Sequence, residues 1–186
     1  MTRIYPQFVV AKFGGTSVAD FDSMNRSAGI VLADDLVRLV VLSASAGVTN
    51  LLVELSEGLE RRDRIDKIDT LRTIQYNIIS RLKAPLVISK EIDQLLENIA
   101  RLAETALATP STALSDELVS HGELMSSLLF AEVLRERKAQ AEWFDARKVI
   151  RTNNFYGCAE PNISLVKDQA EAHLRPRIEQ AIVITQ

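Results

Sequence analysis

The sequence predicts an α/β fold: a mostly parallel sheet in a three-layer αβα sandwich, with a helical insertion. Three observations predict it. Short runs at 7–12, 37–43, 141–145 and 181–185 read as strands, the first two and the last of them carrying β-branched residues. Longer stretches with apolar residues at helical spacing separate these runs. The first two runs are each followed by a turn rich in Gly or Ser. Strands alternating with helices indicate parallel neighbours with both sheet faces covered.

The first strand runs into Lys12-Phe13-Gly14-Gly15-Thr16-Ser17. A strand that ends in a lysine, a glycine pair and two hydroxyls suits a phosphate. Glycines let backbone N–H groups approach an anion with no Cβ in the way. A following helix adds the positive end of its dipole, and the lysine adds a mobile point charge. The run is not a P-loop, because no Gly-Lys-Ser/Thr follows four residues after a first glycine. On spacing alone, a tight strand-to-helix turn capped by Ser17 remains an alternative. Residues 18–34 are expected to be helical, with Ser17 as N-cap and Asp20 three residues on.

The strand at 37–43 ends in a similar way. Ser43-Ala44-Ser45-Ala46-Gly47 leaves room for a ligand, and Val48-Thr49-Asn50 opens a helix over 48–60. On that helix Val48, Leu51, Leu52, Leu55 and Leu59 share a face. Residues 63–84 and 89–108 read as two antiparallel helices; Ala84-Pro85 closes the first, and Ile92, Leu95, Leu96, Ile99 and Leu102 pattern the second. Rich in charge and free of glycine, the pair is expected to be a mostly solvated insertion. Thr109-Pro110-Ser111 breaks the pattern. A long helix over 114–137 follows, with Leu118, Leu124, Leu128 and Leu129 toward the sheet and Ser115 and Asp116 at its start. Residues 148–162 carry turn signals at Asn153-Asn154, Gly157 and Pro161. A last helix over 164–180 is expected to kink or end early at Pro176. The strand at 181–185 is expected to be an uncovered edge, prone to pairing with other chains.

A chain of 186 residues is an ordinary domain size and can bury a substantial core. Its formal charge of −3 gives no electrostatic case for nucleic acid or an anionic membrane. No window approaches the about 18 to 20 uninterrupted apolar residues of a membrane span. Residues 1–10 hold no apolar leader segment. Cys158 is the only cysteine, so no internal disulfide can form, which suits a cytoplasmic setting. With one cysteine and two histidines, a Cys/His zinc cluster is excluded.

Four segments, in order, carry a family resemblance. Lys12 to Ser17 resembles the opening signature of aspartokinases, within the wider amino acid kinase family. Val41-Leu42-Ser43-Ala44-Ser45-Ala46-Gly47-Val48-Thr49-Asn50 resembles the second conserved segment. Asp116-Glu117-Leu118-Val119-Ser120-His121-Gly122-Glu123 resembles the third, and Trp143-Phe144-Asp145-Ala146-Arg147 a fourth. The likeness runs nearly end to end and is greatest to the lysine-sensitive class.

The resemblance implies an ATP-dependent kinase that phosphorylates the side-chain carboxylate of L-aspartate, the first step toward lysine, threonine and methionine. It implies an incomplete amino acid kinase fold. Residues 1–186 would be the N-terminal part of the catalytic domain, with a helical insertion at about 63–108. The nucleotide-binding half and the ACT regulatory domains would lie beyond Gln186, and the fragment alone would be inactive. It further implies that Lys12 is catalytic and that Lys12, Phe13, Gly14, Gly15, Thr16 and Ser17 bind the ATP phosphates. For Thr16 and Ser17, simple helix capping stays open. Ser43, Thr49 and Glu123 are implied to bind aspartate, with Glu123 on its ammonium. Asp145 and Arg147 are implied to order the loop beneath the substrate, and His121 to be a structural hydrogen-bonder. ATP would bring Mg²⁺ with it, and no dedicated metal ligands are expected. The parent enzyme is expected to be a cytoplasmic homo-oligomer acting on small molecules, with no nucleic-acid or membrane partner. Two alternatives stay open: another family member acting on glutamate, acetylglutamate, carbamate or a nucleotide, and a non-catalytic truncated fragment.

Overall fold

The structure, a computed structural model, describes residues 8–186. Gln7, the first residue of the expected strand 7–12, and most of the 1–10 segment read for a leader lie outside the described residues. Strands β1 (Val9–Phe13), β2 (Val37–Leu42), β3 (Ala141–Trp143) and β4 (Ile182–Thr185) form one sheet. Its order is β1-β2-β4-β3, and every neighbouring pair is parallel. Parallel neighbours need a crossover connection. Helix α1 (Phe21–Leu32) supplies it between β1 and β2. Helices α2 (Val48–Ser56), α3 (Arg61–Ile79), α4 (Leu86–Ala108) and α5 (Thr112–Glu136) lie between β2 and β3. Helices α6 (Ile163–Gln169) and α7 (Arg175–Ile178), joined by a π-helical turn over Ala170–Leu174, lie between β3 and β4.

Alternation along the strands sends side chains to two cores. Val40, Leu42 and Ile184, with Ala11 and Phe13, join the larger core under α1 to α5. Leu39 and Val183 face the smaller one, with Phe144, Val149, Val166, Ala170, Leu174 and Ile178. Helix α5 is the central pillar, buried on most of its circumference from Leu118 to Leu134. It packs on the sheet with one side and on α2 and α4 with the other. A helix apolar all round is one enclosed by its neighbours. Of its four expected core leucines, Leu118, Leu124 and Leu129 are buried and Leu128 is half-buried.

Several local expectations change. The strand at 181–185 is not an uncovered edge. β4 pairs with β2 on one side and β3 on the other, and Val183 and Ile184 are fully buried. The edges are β1 and β3. The strand expected at 141–145 closes at Trp143, although the Phe144 N–H still donates to the Ile184 carbonyl at 2.8 Å. The expected helix over 164–180 is interrupted before Pro176. A proline cannot donate to the carbonyl four residues back and its ring crowds that group. The helix widens into the π turn and restarts with Pro176 in the first turn of α7. Ser115 and Asp116 lie inside α5. Its N-cap is Ser111, whose hydroxyl accepts from the Leu114 N–H.

The α3–α4 pair is charged outside, as expected, but its inner side is more buried than a mostly solvated insertion implies. Leu71, Ile78, Ile92, Leu96 and Ile99 are fully buried in the larger core. The Tyr76 hydroxyl and the Arg72 guanidinium both donate to the Asp93 carboxylate, tying the two helices. Among the described residues, no helix is long and apolar enough to cross a membrane.

The start of α1 also differs. Residues Gly15–Val18 form a separate 3-10 turn, and α1 begins at Phe21 with Asp20 as its N-cap. The Ser23 N–H donates to the Asp20 carboxylate at 2.7 Å. That hydrogen bond holds the carboxyl below its ordinary value of 3.8. Replacing Asp20 by alanine is expected to cost about 1 kcal/mol at neutral pH. A lowered folded pKa means the contribution is present above 3.8 and is lost as pH falls through the folded value. Melting curves of Asp20→Ala and the parent should differ at neutral pH and converge in acid. Equal Tm at neutral pH would rule the cap out.

Candidate active site at the carboxyl edge of the sheet

Register decides which residues meet at the end of the sheet. Phe13 pairs with Leu42, Val41 with Thr185 and Ile184 with Trp143. One or two residues further on, the chain reaches Gly14, Ser43, Gln186 and Asp145 in a row across the carboxyl ends. In open parallel sheets this rim is where ligands bind.

The two glycines after β1 serve different needs. Gly14 is extended, at φ −83° and ψ 172°, and a Cβ there would meet nothing within 4 Å. A side chain there would face open space, while the Gly14 carbonyl accepts from the Ser17 N–H. At Gly15 a Cβ would stand 2.7 Å from the Ala44 carbonyl oxygen. There the turn is pressed against the turn after β2, and the Ala46 N–H donates to the Gly15 carbonyl at 3.2 Å. Ser45 closes the same seam, its hydroxyl donating to the Val18 carbonyl at 2.8 Å. Phe13 does not offer its side chain to a ligand. Its ring packs on Phe130, centroids 6.1 Å apart, and its carbonyl accepts from the Ser43 N–H. Ser17 makes no side-chain cap, since Asp20 holds that post. The capping alternative for Ser17 is therefore removed.

Lys12, Ser43 and Glu123 come together. The exposed Lys12 ammonium donates to the Ser43 hydroxyl at 3.0 Å. Glu123 projects from α5, half-buried. Burial pushes its carboxyl above the ordinary value of 4.5, and the Lys12 charge draws it part of the way back. A carboxylate near a helix's buried side needs a cation to be comfortable ionised. Thr49 is exposed in the first turn of α2, behind Gly47 at φ 83°. The left-handed backbone at Gly47 lets the chain turn from the β2 end into α2 without a Cβ penalty. The 3-10 turn presents Thr16 to solvent as well.

A second cluster lies at the β3 and β4 end of the rim. Asp145 caps the turn Ala146–Lys148 through the Arg147 N–H and pairs with the Arg147 guanidinium at 2.7 Å. It also accepts from the Gln186 amide at 2.8 Å. Burial raises the Asp145 carboxyl, but the Arg147 hydrogen bonds outweigh it and hold the group below its usual range. Its observed task is to join the ends of β3 and β4. His121 is buried. Its Nδ1 donates to the Glu117 carbonyl at 2.8 Å, and burial keeps the ring below its ordinary value. That is a structural hydrogen-bonder. Among the described residues, no group of three or more His, Cys, Asp or Glu side chains could hold a metal ion.

Sequence reasoning missed Ser126. It is fully buried, and its hydroxyl donates to the Ser43 carbonyl at 2.8 Å. The signal was a pair of hydroxyls, Ser126-Ser127, inside an otherwise apolar helix face.

This layout can be set beside known proteins. The amino acid kinase family matches the chain over residues 7–186. The chain belongs to the amino acid kinase family. Among the family's characterised members, it is 62% identical over 180 residues to the lysine-sensitive aspartokinase 3 of Escherichia coli, covering 97% of this chain and 40% of that protein. The crystal structure of E. coli aspartokinase III in complex with aspartate and ADP superposes with a TM-score of 0.95, covering 96% of this chain and 40% of that one. Aspartate kinase from Clostridium acetobutylicum, 21% identical, shares the fold at a TM-score of 0.71 over 96% of this chain and 38% of its own. This kinase-family chain thus spans about 40% of the length of the E. coli relative.

The two glycines predict opposite responses. Gly15→Ala drives a Cβ into backbone and is expected to destabilise by about 1–3 kcal/mol. Gly14→Ala fits its extended backbone and is expected to leave stability level or slightly raised. Thermal melts of both variants test the contrast; two equal losses would contradict it.

Proposed function

We propose that this chain is the phosphate- and acceptor-binding segment of an aspartokinase. In this reading the enzyme transfers the γ-phosphoryl group of ATP to the side-chain carboxylate of L-aspartate. One observation supports it most. The Lys12 ammonium donates to the Ser43 hydroxyl and its charge acts on the half-buried Glu123 carboxylate, at the rim of the sheet where a side chain on Gly14 would meet nothing within 4 Å. The identity to an aspartokinase, together with the aspartate and ADP held by the E. coli structure, supports the choice of ligands.

Both reactants are anions, so catalysis rests on positioning and charge cancellation. Lys12 lies against the phosphates and offsets charge as the phosphoryl group moves. The backbone from Phe13 to Gly15 and the Thr16 and Ser17 hydroxyls supply donors. The donor set is cationic and rich in N–H groups, which fits phosphate oxygens. Mg²⁺ would arrive on the nucleotide and neutralise its β- and γ-oxygens. Ser43 orients the Lys12 ammonium and faces the reacting carboxylate. Thr49, with the N-terminal turn of α2, holds a substrate carboxylate. Glu123 takes the substrate's α-ammonium, a cation that would add to the partial pull of Lys12 on its half-buried carboxylate. The complete reaction is proposed for this segment joined to the remainder that its longer relatives carry, as a cytoplasmic homo-oligomer in lysine, threonine and methionine synthesis. Residues 1–186 alone are proposed to be inactive, because approximation fails when one reactant is not held.

The test joins residues 1–186 to the portion of the E. coli relative that they do not match, and assays aspartyl phosphate as its hydroxamate. Lys12→Ala is expected to lower kcat by about 10² to 10³ while circular dichroism is unchanged. A near-normal kcat refutes the lysine's role. Thr49→Ala and Glu123→Ala are expected to raise KM for aspartate well above any change in KM for ATP. The Glu123 carboxyl titrates above 4.5, and its ionised form binds the ammonium. KM for aspartate should therefore climb as pH falls toward that raised value, and lose this climb in Glu123→Gln. A rise confined to KM for ATP counts against both assignments.

A further inference from the structure

Helix α5 meets the turn between β2 and α2 along a seam with almost no room in it. A Cβ on Gly122 would stand 2.9 Å from the Ala44 Cβ, 3.0 Å from Leu52 and 3.1 Å from Val48. One residue on is Glu123, and one helical turn on is Ser126. The Ser126 hydroxyl lies 2.8 Å from the Ser43 carbonyl oxygen and 3.1 Å from the Glu123 carbonyl oxygen in its own helix. A hydroxyl has one proton. The shorter contact, out of the helix and across 83 positions of sequence, is the better bond. Ser43 in turn holds the Lys12 ammonium at 3.0 Å. A continuous path therefore runs from the helix that carries Glu123, through Ser126 and Ser43, to Lys12.

Its neighbour makes an instructive contrast. Ser127 is just as buried, but it accepts from the Trp143 indole N–H at 2.9 Å and donates to the Leu124 carbonyl. Two adjacent hydroxyls on one helix thus bond to different strands. Ser127 fastens α5 to β3, away from the Lys12 group. Ser126 fastens it to the end of β2, on which Lys12 rests.

We propose that Ser126 is a positioning residue: its hydrogen bond to the Ser43 backbone sets the spacing between Lys12 and Glu123. The consequence for the acceptor substrate rests on the aspartokinase reading; the spacing itself does not. Removing the hydroxyl leaves the Ser43 carbonyl without its buried donor and frees the residue that orients the lysine. Residues that support a site in this manner carry effects of about tenfold or more on binding and turnover without touching the ligand.

Two measurements test this, with Ser127→Ala as the matched control. In the 186-residue chain, carbon-13 NMR follows the titration of the Glu123 carboxyl. Lys12 is the charged group that acts on that carboxyl, and it acts to lower it. Ser126→Ala is expected to weaken that pull and move the Glu123 midpoint further up, with the fold retained. Ser127→Ala is expected to lower Tm comparably and leave the midpoint in place. In the joined polypeptide, Ser126→Ala should raise KM for aspartate about tenfold, with KM for ATP little changed, and Ser127→Ala should change neither. A Glu123 midpoint in Ser126→Ala equal to that of the parent overturns the proposal, as does an identical shift in the control. Should the unmodified joined polypeptide fail to phosphorylate aspartate, the aspartokinase reading falls, and the Glu123 titration still decides the role of Ser126.

Discussion

Helix α5 approaches the β2–α2 turn with no side chain between them at Gly122, and the geometry of the rim depends on that contact. A methyl group there would overlap Ala44, Leu52 and Val48 at once. Interiors packed at crystal-like density do not absorb such a group without moving an element. Moving α5 outward would carry Glu123 away from Lys12 and stretch the Ser126 bond to Ser43. The same shift would disturb the sheet, because α5 also packs on β2, β3 and β4. Stability and site geometry are thus set by one interface.

The seam between the two glycine- and serine-rich turns repeats this logic on a smaller scale. Gly15 touches Ala44, the Ala46 N–H bonds to Gly15, and Ser45 bonds to Val18. The turn after β1 is therefore shaped by the turn after β2 as much as by its own residues. At Gly14, one position earlier, a side chain would face open space. A rigid backing behind an open rim suits an anion site, since the donors are fixed before the ligand arrives.

The parallel sheet and its helices were legible because strand-length and helix-length patterns alternate cleanly in the sequence. Lys12, Ser43 and Glu123 stood out through ordered motifs, and the structure puts the Lys12 ammonium on the Ser43 hydroxyl with its charge acting on Glu123. What was not legible depends on tertiary context. Ser17 and Asp20 both suit an N-cap, and only the 3-10 turn over Gly15–Val18 shifts the helix start to Phe21. The run Ile182-Val183-Ile184 reads the same as an edge or a central strand; its place follows from β3 reaching the sheet two positions from β2. The charged α3–α4 pair shows its outer face in composition and hides the buried one behind it. Ser126 was missed because a hydroxyl in a helix usually bonds to its own turn, so the Ser126-Ser127 pair does not by itself point across to another strand.

The central place of β4 bears on how the molecule is made. β2 and β3 are not neighbours; what links them is β4, the strand synthesised after both. Until residues 182–185 leave the ribosome, the first two strands and the third have no hydrogen-bonded link, and α5 rests on a divided platform. Closure joins segments more than 140 positions apart, Leu39 against Val183, and pairings that distant in sequence form slowly. From the synthesis of β3 to that of β4 the nascent chain must hold an open slot between two strand edges. That slot is where misassembly with another chain would begin.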